Sequence, residues 1–178
     1  MIVSLRRFLK ERTGLAAMEF ALVAPMILFT TLGAFDLVEM MQANKRIENV
    51  AASLADVVSR DTVVMDTELA EYWAALTPLL SPMSAAGVEV RITSATVQTS
   101  NRAEVVWSES HGGLTAFEAG DMIEVPDPVG QVAAGVIIVT VRQSWAPPLG
   151  IISGGGERTM EQTEFRRPRI ADPVLREP

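Results

Sequence analysis

The sequence predicts an α+β protein: one long N-terminal helix, a shorter second helix, then a three- to four-stranded antiparallel sheet. Three observations carry that expectation. An apolar run occupies residues 15–35. Neither glycine nor proline interrupts the chain from Asp36 to Thr77. At Val88 the hydrophobic period changes from about 3.6 residues to 2.

The apolar run, Leu15 to Phe35, is 21 residues long. As a helix it would extend about 31 Å, enough to cross the hydrocarbon core of a bilayer. It is also too long for the apolar part of a cleaved secretory signal, and Gly33-Ala34-Phe35-Asp36 is a poor small-x-small cleavage site. Pro25 lies inside it and removes one backbone donor. Asp36 and Glu39 read as the exit from the membrane.

Beyond that exit, Ile47, Val50, Ala51, Leu54, Val57 and Val58 recur at helical spacing, while Asn44, Lys45, Glu48, Asn49, Ser53 and Asp56 fall on the opposite side. One helix is therefore expected from about Leu15 to Ser59, apolar all round at first and amphipathic over 36–60. Arg60-Asp61-Thr62 breaks it. A second helix is expected from Thr67 to Leu80, with Asp66 as N-cap and Leu69, Tyr72, Trp73, Leu76 and Leu80 on one face. Pro78 and Pro82 bend or end it.

Val88, Val90 and Ile92 alternate with Glu89, Arg91 and Thr93, which reads as a half-buried strand running to about Gln98. A turn at Thr99-Ser100-Asn101 leads to a second strand over Glu104–Ser108. Glu109 to Gly135, rich in glycine and proline, reads as a loop. Val136 to Trp145 is the strongest strand, stopped by Ala146-Pro147-Pro148-Leu149-Gly150. A Gly154-Gly155-Gly156 link, a last strand from Arg158 to Phe165 and an irregular tail from Pro168 complete the expectation.

Charge gives the chain a direction. Residues 1–14 hold Arg6, Arg7, Lys10 and Arg12 against Glu11, a net +3 in a chain whose total is −7, so the remainder carries −10. A basic flank before an apolar span predicts a single-pass inner-membrane protein with its N-terminus in the cytoplasm and residues 61–178 as a periplasmic or extracytoplasmic domain. The acidic remainder argues against a nucleic-acid partner, which requires a basic surface. The absence of cysteine excludes disulfides, thiolate metal sites and thiol catalysis.

No catalytic pattern emerges. His111, the sole histidine, sits beside Gly112-Gly113 without a nucleophile and orienting acid in a recognised arrangement. Glu118, Asp121, Glu124 and Asp127 do not follow the spacing of a calcium loop and read as a solvated acidic segment. Gly154-Gly155-Gly156 lacks the Lys-Ser/Thr of a phosphate-binding loop. Trp73, Trp107 and Trp145 have the spacing of core positions. The chain is thus expected to be neither an enzyme nor a cofactor or metal carrier.

The informative motif is Gly14-Leu15-Ala16-Ala17-Met18-Glu19-Phe20 at the junction of basic leader and apolar run. Glu19 is the only charged residue between Leu15 and Phe35. A carboxylate at the centre of a membrane helix costs about 2.5–3.5 kcal/mol, and less near its end, so such a residue is by default a functional one. Glycine followed five residues later by glutamate, behind a basic leader, resembles the prepilin-peptidase site of type IV pilins and pseudopilins. The resemblance implies cleavage after Gly14, a new N-terminus at Leu15, and Glu19 as fifth residue of the mature chain. The new α-amine would offset the Glu19 charge, on the same or a neighbouring subunit, and fix the register of packed helices.

The likeness narrows further. Gly14 to Met26, the acidic residues Asp36 and Glu39, and the small-residue helix from Asn49 to Arg60 resemble TadE-like proteins, the pseudopilins of tight-adherence (Flp) pilus systems. Trp145, Pro147-Pro148-Leu149 and Arg167-Pro168-Arg169 add a looser, compositional similarity. Two positions depart from the pilin pattern: Phe20 stands where tight-adherence pilins often have tyrosine, and Leu15 where other pilins often begin with phenylalanine. The resemblance implies a type IV pilin-like fold and a minor pseudopilin or assembly component supporting surface adhesion. Its partners would be a prepilin peptidase, other pilin subunits and assembly machinery, and the lipid bilayer. The alternative is an unprocessed, membrane-tethered extracytoplasmic binding domain.

Overall fold

A computed structural model describes residues 13–126, 132–151 and 154–178. The basic leader therefore lies almost wholly outside the described residues, as does Asp127. Helix α1 spans Thr13–Val58 and keeps Pro25 within it. Strand β1 (Val63–Val64), helix α2 (Asp66–Leu80), and strands β2 (Glu89–Thr99), β3 (Arg102–His111), β4 (Met122–Glu124), β5 (Gly135–Trp145), β6 (Arg158–Arg166) and β7 (Leu175–Arg176) follow. The chain divides into two compact units: residues 1–40 with 146–156, and residues 41–145 with 157–178.

The larger unit is built on an antiparallel sheet of order β4-β3-β2-β5-β6. The α+β class is as expected, but the sheet has five strands instead of three or four. The extra strand, β4, falls within the stretch read as a loop; Ala103 lies opposite its Ile123. Three residues between glycine and proline segments are too few to display a period.

One sheet face is covered by α1. Gln162 lies opposite Val141 across β5 and β6 and donates to the Asn44 side chain of α1 at 2.9 Å. Val90, Ile92, Val139 and Val141 share that face and are fully buried. The side chains opposing them recur along α1 as anticipated: Ile47, Val50, Ala51, Leu54 and Val58 are all buried, though Val57 is exposed. On α2 the buried positions are Leu69, Tyr72, Leu76 and Leu80. A second cluster, Ala95, Val97, Ala103, Val125, Val136 and Ile138, closes the opposite face with Ile123 and Phe165.

Between Ser94 and Ala95 the β2–β3 register slips, because Trp107 opposes Ser94 while Val105 opposes Ala95. The extra residue, Val106, forms a bulge. It turns Trp107 toward Ser94, and both side chains donate to the Val174 carbonyl, at 2.9 and 2.8 Å. The tail from Pro168 is irregular as expected apart from Leu175–Arg176, but it is packed onto the larger unit. Val174 is fully buried, and β7 pairs in parallel with β1. Arg176 reaches Asp66, Glu109 and the Val64 carbonyl.

Helix α2 begins one residue earlier than anticipated. Its N-cap is Met65, whose amide donates to the Glu68 carboxylate at 2.8 Å. Asp66 is the first helical residue, where its charge suits the helix dipole, and it pairs with Arg176 instead of capping. The Tyr72 hydroxyl donates to Asp61.

The apolar N-terminal helix as candidate functional site

Gly14, Leu15, Glu19 and Phe20 form the opening turns of α1 and are all exposed. A methyl group added at Gly14 would meet nothing within 4 Å, and the backbone there is not in the left-handed region. Among the described residues, neither packing nor conformation requires glycine at this position. Leu15 and Glu19 are four residues apart, hence neighbours on one helix face about one turn apart. Glu19 has no hydrogen-bond or ion-pair partner among the described residues.

The side chains that follow are almost uniformly uncovered. Leu22, Met26, Leu28 and Phe29 are exposed, as is Phe20 at 71%. In water such a surface would be unfavourable; in a bilayer it is matched to its surroundings. The two hydroxyls in the run are internally satisfied, Thr30 Oγ1 donating to the Met26 carbonyl and Thr31 Oγ1 to the Ile27 carbonyl, each at 2.8 Å. A helix in lipid needs that, since the hydrocarbon supplies no acceptors. By length and composition α1 is a candidate membrane span, the one such helix among the described residues.

Asp36, read from the sequence as the exit from the membrane, is 1% exposed. Its two carboxylate oxygens accept from the backbone amides of Leu149 at 3.0 Å and Ile151 at 2.7 Å. The loop 146–151 folds so that this is possible. Pro147 and Pro148 stop β5 and contribute no donors of their own. Gly150 adopts φ +68° and lies so close to Gly155 that a Cβ would come within 2.9 Å of its backbone. Nothing in the local sequence announces this contact, because its partners are backbone groups 113 and 115 residues away.

Among the described residues the geometry is thus an exposed apolar helix with one unpartnered carboxylate near its start and one buried carboxylate beyond the apolar run.

Residues 14–56 match the family model described as TadE-like protein.

The match contains Gly14, Leu15, Glu19, Phe20 and Asp36 and most of α1, and it bears out the family resemblance drawn from the N-terminal motif. The looser similarity around Trp145 and Arg167 lies beyond the TadE-like segment. No curated protein and no solved structure matches the chain. The TadE-like family that this segment resembles is a pilus-related structural one.

Of the remaining polar candidates, His111 and Asp121 make contacts within the fold. His111 ends β3 and stacks on Trp73, with ring centroids 5.3 Å apart. Trp73 and Trp145 are half-buried and only Trp107 is buried. Asp121 accepts from the Glu118 amide at 2.9 Å. Arg91 lies over the Phe117 ring, 3.9 Å from its centroid, and burial pulls its pKa down from the usual arginine range. Burial, and then the bond to Asp61, push the Tyr72 phenol well above the usual tyrosine range.

Proposed function

We propose that this chain is a minor pseudopilin or assembly component of a tight-adherence pilus, anchored in the inner membrane and processed by a prepilin peptidase. The observation that carries the reading is the start of α1. A glycine whose added Cβ would meet nothing among the described residues stands five residues before a carboxylate without a partner among them, at the head of an uncovered apolar helix. A peptidase that requires a small residue at the cut accounts for Gly14. A peptide bond cut after it leaves an ammonium at Leu15, one turn from Glu19, and the two charges offset each other in apolar surroundings.

The division of labour follows from charge and length. Residues 1–14 are the leader and stay in the cytoplasm with their basic side chains. Residues 15–35 span the bilayer. Residues 36–60 continue the helix out of it, and 61–178 form the extracytoplasmic domain. In a fibre, helices pack side by side and Glu19 sets their axial register, as a lone polar residue does in a coiled coil. The subunit thereby supports surface attachment.

The deciding experiment is the intact mass and N-terminal residue of the protein recovered from membranes of its native host with a working pilus apparatus. Leu15 is expected. A chain that still begins at Met1 overturns the reading and leaves a membrane-tethered domain.

A further inference from the structure

The loop held by Asp36 carries an uncovered apolar surface of its own. Residues 146–156 include no charged side chain. Leu149 and Ile151, 46% and 37% exposed, point apolar side chains outward from the backbone whose amides Asp36 has taken. The helix itself does not turn polar at Asp36, because Leu37 and Val38 beyond it are also exposed.

We propose that residues 146–151, pinned to α1 by the Asp36 carboxylate, lie in the headgroup boundary of the bilayer and form a second lipid contact beside the membrane helix. This rests on the reading of α1 as a membrane anchor. Position argues for it: Asp36 lies 21 residues after Leu15, about 31 Å along a helix, where the hydrocarbon core gives way to headgroups. Polarity agrees. The Asp36 charge is buried and doubly hydrogen-bonded, so it does not force this level of the helix into water. The amides of Leu149 and Ile151 are satisfied and the two prolines have none, which lowers the cost of bringing this loop against lipid. The apolar surface of the loop is continuous in level with that of the helix, and lipid is the partner that the helix already has.

The cysteine-free chain allows a direct test. Leu149→Cys, Ile151→Cys, Phe29→Cys and Thr99→Cys variants, each labelled with an environment-sensitive fluorophore, are reconstituted at low protein density in phosphatidylcholine vesicles. Labels at positions 149 and 151 should be quenched by lipids brominated near the headgroup, and at least about threefold less by aqueous iodide than the label at 99. Adding Asp36→Ala should return them toward the aqueous value. If the label at 29 is protected while those at 149 and 151 quench like 99, the loop proposal alone falls. If 29 is open to iodide as well, the anchor reading falls with it. Protection that disappears on dilution to one copy per vesicle would mean a second copy covers the loop, and would overturn the lipid assignment. Protection unchanged by Asp36→Ala would overturn the pin.

Discussion

Three residues carry stakes that differ in kind. Asp36 is a buried carboxylate whose two bonds are to backbone amides. Asp36→Ala leaves both amides without their acceptor, at about 1–3 kcal/mol each, which predicts roughly 5- to 150-fold faster hydrogen exchange at Leu149 and Ile151. Tyr72 is a pH-linked group. Its folded-state pKa is raised, first by burial and then by Asp61. The stability it contributes is therefore complete below tyrosine's ordinary pKa of about 10 and drains as pH rises toward the folded-state value. Tyr72→Phe should cost about 1–3 kcal/mol near neutrality. It should also flatten the fall in urea midpoint that the parent shows above about pH 10. Glu19 has no partner among the described residues. Glu19→Ala should insert into membranes normally and yet abolish pilus assembly, which electron microscopy of surface fibres would score. Glu19 was legible because a charge in an apolar run is conspicuous on its own. The Asp36 contact was not, because hydrogen bonds to distant amides leave no mark on neighbouring residues.

At the scale of the element, α1 is two helices of opposite chemistry joined end to end. Leu54, 3% exposed, belongs to the half that covers the sheet, and Leu54→Ala should destabilise the larger unit by about 2–5 kcal/mol in chemical denaturation. Phe20 belongs to the uncovered half, and Phe20→Ala should leave that midpoint unchanged while weakening retention of the helix in lipid. The covered half was readable from periodicity, which reports burial directly when one side of a helix meets a core. The long strands were readable for the same reason, with ends displaced by one to three residues. β4, β1 and β7 were not. Each has only two or three residues, and their existence depends on which segment happens to lie alongside, a non-local fact. The bulge at Val106 is similarly invisible in sequence, yet it decides that Trp107 turns toward the tail.

For the whole molecule, the C-terminal segment acts as a closing strap on the larger unit. Val174 fills a buried site and its carbonyl receives both Ser94 and Trp107, while Arg176 ties to Asp66 and Glu109. Ending the chain at Asp172 should cost more than about 3 kcal/mol, from one buried valine and the bonds lost with it. In a background with Trp73 and Trp145 changed to Phe, the emission of Trp107 should shift to the red as its indole is freed.

The order of the five strands has a consequence for how copies of this chain can join. The outer margins of the sheet are β4, three residues long, and β6, studded with Arg158, Glu161, Glu164 and Arg166. Stubby or charge-lined margins of this sort discourage stitching one sheet onto the next. Copies of this chain would then meet through their greasy stems and not by joining sheet to sheet.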